Sequence, residues 1–226
     1  MKFDAIVFGS KPNSKIPKYK VKVIFTANGA AIRGLKYKKL TQNAKLFAVV
    51  GRKEFYKKEI QNNIYKSKPD LIICRSGKIK VSNFYSKYFT SFSQIIFQSK
   101  FFKYGIFSIF LSEFKYETNF LEKINHLYQC VFKQKLQGAS TGLFCILLAL
   151  NDENNKNILI SGIGLEGGDT MYEYVLAENK KHYYMNRSNV DRYLIKHLRK
   201  KFINRLYSLD KDMSKNSKIT LYKSKN

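Results

Sequence analysis

Ser140-Thr141-Gly142 immediately precedes Leu143–Leu150, an unbroken apolar run. A helix starting there presents unpaired backbone N–H groups and a partial positive charge, and a hydroxyl plus a glycine lets a phosphate approach the main chain. The same residues also read as an ordinary N-cap before a core helix. A second group lies in Leu165–Thr170, where Glu166 and Asp169 stand among glycines near Tyr172. Carboxylates there suit a general base or a nucleophile, and equally a solvated turn. His182, beside Tyr183, is a further base or a solvated loop histidine. Arg52 and Arg75 each follow an apolar run, where guanidinium groups could clamp phosphate or a sugar carboxylate, or simply face water.

These groups need elements to hold them. Ala5–Phe8, Val21–Phe25, Leu46–Val50, Leu71–Cys74 and Asn157–Ile160 are short apolar runs that read as strands, several of them ending at small residues. Helical spacing recurs over Lys53–Tyr65 and Glu117–Leu136, and again from Val190 through Leu194, Leu198, Phe202 and Leu206. Ile219–Tyr222 reads as a last strand. Apolar runs alternating with helical stretches predict an α/β, Rossmann-like domain with a mostly parallel sheet and helices on both faces. Such sheets bind ligands at the carboxyl ends of their strands, which raises Ser140-Thr141-Gly142 above a plain cap. The 226 residues suit a single domain spanning 1–226. Residues 81–112 show no clean period apart from two strand-like runs, Ile95–Phe97 and Ile106–Phe110, and read as an acceptor-side or lid insertion.

Composition bounds the partners. Lys and Arg number 42 against 16 Asp and Glu, for a net charge of +26. Such a chain is drawn to polyanions: nucleic acid, anionic lipid or a phosphorylated saccharide. Lysine abundance is matched by Asn, Ile, Tyr and Phe, so part of the charge is compositional. Cys74, Cys130 and Cys145 form no Cys-x-x-Cys pair, which points to free thiols and argues against a metal site. No run reaches the roughly 20 apolar residues of a membrane span, and the first residues lack a signal-peptide core. The expected location is cytoplasmic, with the basic face of the last helix (Arg192, Lys196, Arg199, Lys200) resting on the inner surface of the cell membrane.

Three segments in order resemble the bacterial sialyltransferases of glycosyltransferase family 42. Val23–Ile32 with Asn28-Gly29 is similar to the family's first strand and Asn-Gly-Pro-Ser turn, with Ala30-Ala31 in place of Pro-Ser. Ser140-Thr141-Gly142 and the strand end Ser161-Gly162-Ile163 resemble its Thr-Ser-Gly helix start and Leu-Ser-Gly-Ile-Asp strand end, with Gly164 at the Asp. His182-Tyr183 through Asn189 and Asp191 resembles its His-Tyr-x-x-His-Ser-x-Asn-x-Asp segment. The first twenty residues look like an extra strand and turn.

The resemblance implies a CMP-activated nine-carbon acidic sugar as donor substrate, no cofactor, no metal, and transfer to an oligosaccharide or glycolipid acceptor of a surface glycan. It implies that Asn28, Gly29, Ser140, Thr141 and Gly142 hold the nucleotide, with Tyr172 and Tyr183 near the donor phosphate. The family's catalytic histidine falls on Asn186, which has no basic nitrogen, and a family tyrosine falls on Glu166. Glu166, Asp169 and His182 therefore stay as alternative bases or nucleophiles, for a sialic-acid-like or a Kdo-like sugar. Two rival readings remain: a basic nucleic-acid-binding module, resting on the Lys/Tyr/Phe mixture of Lys78–Phe102, and an inactive relative that binds CMP or a glycan.

Overall fold

The computed structural model describes residues 1–11, 14–41, 43–51, 54, 57–74, 95–97, 140–165, 191–192, 195–196, 198–200, 202 and 204–223. Its strands are β1 (Ala5–Phe8), β2 (Val23–Ala27), β3 (Lys45–Val50), β4 (Leu71–Cys74), β5 (Ile95–Phe97), β6 (Ile158–Ser161), β7 (Leu206–Ser208) and β8 (Thr220–Leu221). Its helices are α1 (Ala31–Thr41), α2 (Lys58–Ser67), α3 (Thr141–Asn151) and α4 (Lys211–Ser217), and a 3-10 turn over Asn28–Ala30 leads into α1. Residues 191–192, 195–196, 198–200 and 202 are also helical.

The strands form one eight-stranded sheet in the order β5-β4-β3-β2-β1-β6-β7-β8. Every pairing is parallel. The α/β, Rossmann-like expectation holds. Side chains alternate between the two faces with the period of a strand. Val7, Phe25, Val49 and Ile160 join a core with α3 and with Ile195 and Leu198 of the late helical stretch. Ile6, Phe8, Ile24, Leu46 and Leu159 join a core with Tyr37 of α1. From β1 the chain walks outward to β5 with α1 and α2 on one face. It returns through α3 to β6 and then walks the other way to β8, with Met213 of α4 in the α3-side core. Opposite directions with helices on opposite faces are what right-handed crossovers require.

The extra strand-turn expected from the first twenty residues is not an appendage. β1 is fully buried and lies between β2 and β6, pairing Ala5 with both Val23 and Ile158. Apolar runs reveal strands but not their order. The late helical period also runs too far: Leu206 belongs to β7, because Arg205 N–H closes a turn on Phe202 O and ends the helix. Helix α2 begins at Lys58, since Lys57 is extended (φ −80°, ψ 123°). Strand β7 and helix α4 had no sequence signal. On the late helical stretch Lys196 and Lys200 are exposed as expected, whereas Arg192 and Arg199 are half-buried with their Nε atoms covered. The free thiol of Cys145 is buried. The predicted helix over Glu117–Leu136, the strand Ile106–Phe110 and Cys130 lie outside the described residues, as does the 81–112 segment apart from β5. Among the described residues no helix is long and apolar enough to cross a membrane.

Gly9 shows how tightly the sheet's centre closes. A Cβ there would lie 2.1 Å from Gly162 O. Substituting Gly9→Ala forces two backbones apart, so a loss of about 1–3 kcal/mol in urea unfolding is expected; unchanged stability would contradict this close approach.

Candidate functional site

The direction of the chain reverses between β1 and β6, the switch point at which open parallel sheets usually bind ligands. Here protein atoms fill that crevice. Gly9 N–H donates to Ser161 O (2.8 Å) and Lys11 N–H to Gly162 O (2.9 Å). Ser161 Oγ donates to Lys15 O at 2.7 Å. The buried Arg33 guanidinium, from the first turn of α1, donates to Gly9 O (2.6 Å) and Lys11 O (2.9 Å). Gly162 has φ +78°, and a Cβ on it would meet Arg33 Nη1, Ser14 Oγ and Gly9 O, each within 2.8 Å. Lys11 Nζ pairs with Asp212 at 2.8 Å. Only glycine fits such a turn, through both its conformation and its surroundings.

Asp210, between β7 and α4, fastens the same turn, accepting from Gly162 N–H at 2.6 Å. Burial pushes its carboxyl above the ordinary aspartate value of 3.8; the N–H bond from Gly162 pulls the other way and is outweighed. Relative to the unfolded chain, folding thus shifts this carboxyl toward its protonated form. The stability this contributes is present below the unfolded value and is lost as pH rises through the elevated native one. Asp210→Asn keeps an acceptor and does not titrate. Its stability relative to the parent should therefore improve as pH rises through the acidic range, read from urea unfolding at several pH values; a difference constant with pH would refute the assignment.

A second gathering of strand ends lies two strand positions away, where β2 and β3 end near the start of α3. Asn28 adopts φ 52°, a left-handed conformation that asparagine tolerates better than most residues. Its Oδ1 accepts from Gly51 N–H at 3.0 Å, joining the ends of β2 and β3. Ser10 Oγ ties the β1 end to this turn through Ala27 O (3.0 Å), and Asn63 Nδ2 reaches Gly29 O (3.4 Å). A Cβ on Gly51 would lie 3.2 Å from Thr141 Oγ1. The β3 end and the first residue of α3 are therefore neighbours.

Ser140 caps α3: it is extended (φ −68°, ψ 163°) and its Oγ accepts from Leu143 N–H at 3.1 Å. Its own N–H donates to Asp191 Oδ1 at 2.8 Å. The buried Asp191 carboxylate so fixes the cap to the late helical stretch. A Cβ on Gly142 would meet the Ile163 side chain from 3.2 Å, which brings the β6 end against the same first turn. Ser140 Oγ is spent on the cap, and Thr141 and Gly142 form the first turn of α3 at the carboxyl edge of the sheet, where a helix start favours negative charge. Ser140→Ala should lower stability by about 1 kcal/mol, measured by denaturant unfolding; no loss would mean the cap is unimportant.

Of the sequence-derived site residues, Asn28, Gly29, Ser140, Thr141 and Gly142 come together at this edge. Arg52, Arg75, Glu166, Asp169, Tyr172, His182, Tyr183 and Asn186 lie outside the described residues. The sequence carries no site pattern at Gly51, Arg33, Asp210 or Glu54. Gly51 was legible only as a strand end, and the contacts of the other three link segments far apart in sequence. Among the described residues no group of three or more His, Cys, Asp or Glu could hold a metal.

No protein-family model matches this chain, and no curated protein matches it. Among solved structures it is similar to the sialyltransferase CST-II in complex with a trisaccharide acceptor and CMP. That likeness has 13% sequence identity and a TM-score of 0.42, and covers 99% of this chain and 89% of that chain.

Proposed function

We propose that this chain is a glycosyltransferase that moves a sialic-acid-like or Kdo-like sugar from a CMP-activated donor to a saccharide acceptor. One observation carries the reading. The three segments that resemble family 42 are far apart in sequence, yet described residues of all three gather at the first turn of α3. Asn28 holds Gly51 beside Thr141, Ser140 N–H meets Asp191, and Gly142 packs on Ile163. A motif resemblance that was accidental would not be expected to converge on one helix end at the carboxyl edge of the sheet.

In this reading the donor phosphate lies at the first turn of α3, where the helix dipole favours negative charge. The acceptor hydroxyl oxygen bonds to the anomeric carbon and gives its proton to a base. The bond from that carbon to the phosphate oxygen breaks, and CMP leaves with the electron pair. Glu166, Asp169 and His182 are the proposed bases or nucleophiles. A basic chain of +26 suits an anionic donor and an anionic surface glycan or lipid-linked acceptor.

The test is direct. CMP should raise the melting temperature, by ligand linkage, and the protein should release CMP from CMP-sialic acid or CMP-Kdo when an acceptor is supplied. A protein that neither binds CMP nor turns over either donor is not this enzyme. CMP binding without turnover on an acceptor panel would leave a nucleotide-binding protein that has lost transfer.

A further inference from the structure

Glu54 stands in the short turn between β3 and α2, which Lys57 N–H closes on Glu54 O at 3.0 Å. Its side chain, half-buried, folds back over the β3 end. A Cβ on Gly51 would lie 2.3 Å from Glu54 Oε2 and 3.2 Å from Thr141 Oγ1. The carboxylate, the Thr141 hydroxyl and the Asn28–Gly51 hydrogen bond thus share one spot at the carboxyl edge. Acids are few in this chain, 16 against 42 bases. The acids Asp4, Asp70 and Asp212 each hold a lysine. Among the described residues no cation pairs with Glu54.

An ionised carboxylate only accepts hydrogen bonds. Facing a phosphate it would be repelled. The ligand group opposite Glu54 must therefore be a donor of hydrogen bonds, set to one side of the anion held at the helix start. A ribose offers two adjacent hydroxyls, which match the two oxygens of a carboxylate. An acid just past a strand's carboxyl end is also where dinucleotide-binding sheets meet a ribose. We propose that Glu54 binds the vicinal diol of the donor's ribose, so that the site selects a ribonucleotide. This rests on the nucleotide reading above and adds to it the group that recognises the sugar of the nucleotide.

The experiment is a two-by-two comparison by titration calorimetry: the parent protein and Glu54→Gln, each with CMP and with 2′-deoxy-CMP. The parent should prefer CMP by about tenfold, the scale of one charge-assisted hydrogen bond. E54Q should bind both nucleotides alike, at about the weaker level, and keep the parent's melting temperature. A preference for CMP that persists in E54Q overturns the assignment. So does tighter CMP binding by E54Q, since that would make the carboxylate merely a repellent of phosphate. If the parent binds CMP and Glu54 proves indifferent, only the diol assignment falls. If the parent binds no CMP, the nucleotide reading falls and takes the assignment with it.

Discussion

Helix α3 has no polar face. From Leu143 to Leu150 each side chain is buried, so the helix can only lie beneath the sheet, against β1, β2, β3 and β6. That burial fixes where its first turn must be. A helix held along parallel strands and leading into the next one places its amino end at the carboxyl ends of the strands before it. The cap at Ser140, the buried carboxylate of Asp191 and the strand-end turns at Asn28 and Gly51 then find one another. The hydrophobic demand of one helix thus assembles the polar edge, and the hydrogen bonds there refine a position already imposed.

The same edge is divided into two unlike halves. Around Gly9 and Gly162 the backbones touch and the guanidinium of Arg33 is spent on carbonyls. Around Gly51 the nearest side-chain atoms are a hydroxyl and a carboxylate. The gathering of Asn28, Gly51 and Thr141 lies two strand positions away from the switch point of the general rule. The rule's physical basis, amides at strand ends and helix starts, is kept.

Much of this was legible in sequence because the signals are local. The apolar runs at Ala5–Phe8, Leu46–Val50 and Leu71–Cys74 are strands within a residue, and Ser140 is the cap its hydroxyl and the following apolar run suggest. What was not legible is long-range. Nothing in Ala5–Phe8 says that it belongs between β2 and β6, because a run buried on both faces looks the same at any interior position. Nothing near Asp210 or Arg33 names Gly162 or Gly9 as a partner. Leu206 continued a four-residue period yet forms a strand, since spacing alone cannot see the turn at Arg205 that interrupts the helix. The site was legible to the extent that its parts were motifs. Glu54 was missed because a lone acid among lysines carries no pattern.

The position of β1 bears on how the molecule is made. Its partners Val23 and Ile158 are separated by most of the chain. The first half of the sheet, β2 through β5, can assemble from neighbouring segments. The join from β1 to β6 cannot close until residues far along the chain are available. Closing so distant a contact has a large loop-entropy cost and belongs to the slow end of folding topologies. Until then β1 exposes an unpaired edge of apolar residues, the kind of surface that associates with other chains. Deleting the first twenty-two residues would not trim this protein. It would part the sheet down its middle, leaving β2 and β6 as two open edges where one continuous ladder had been.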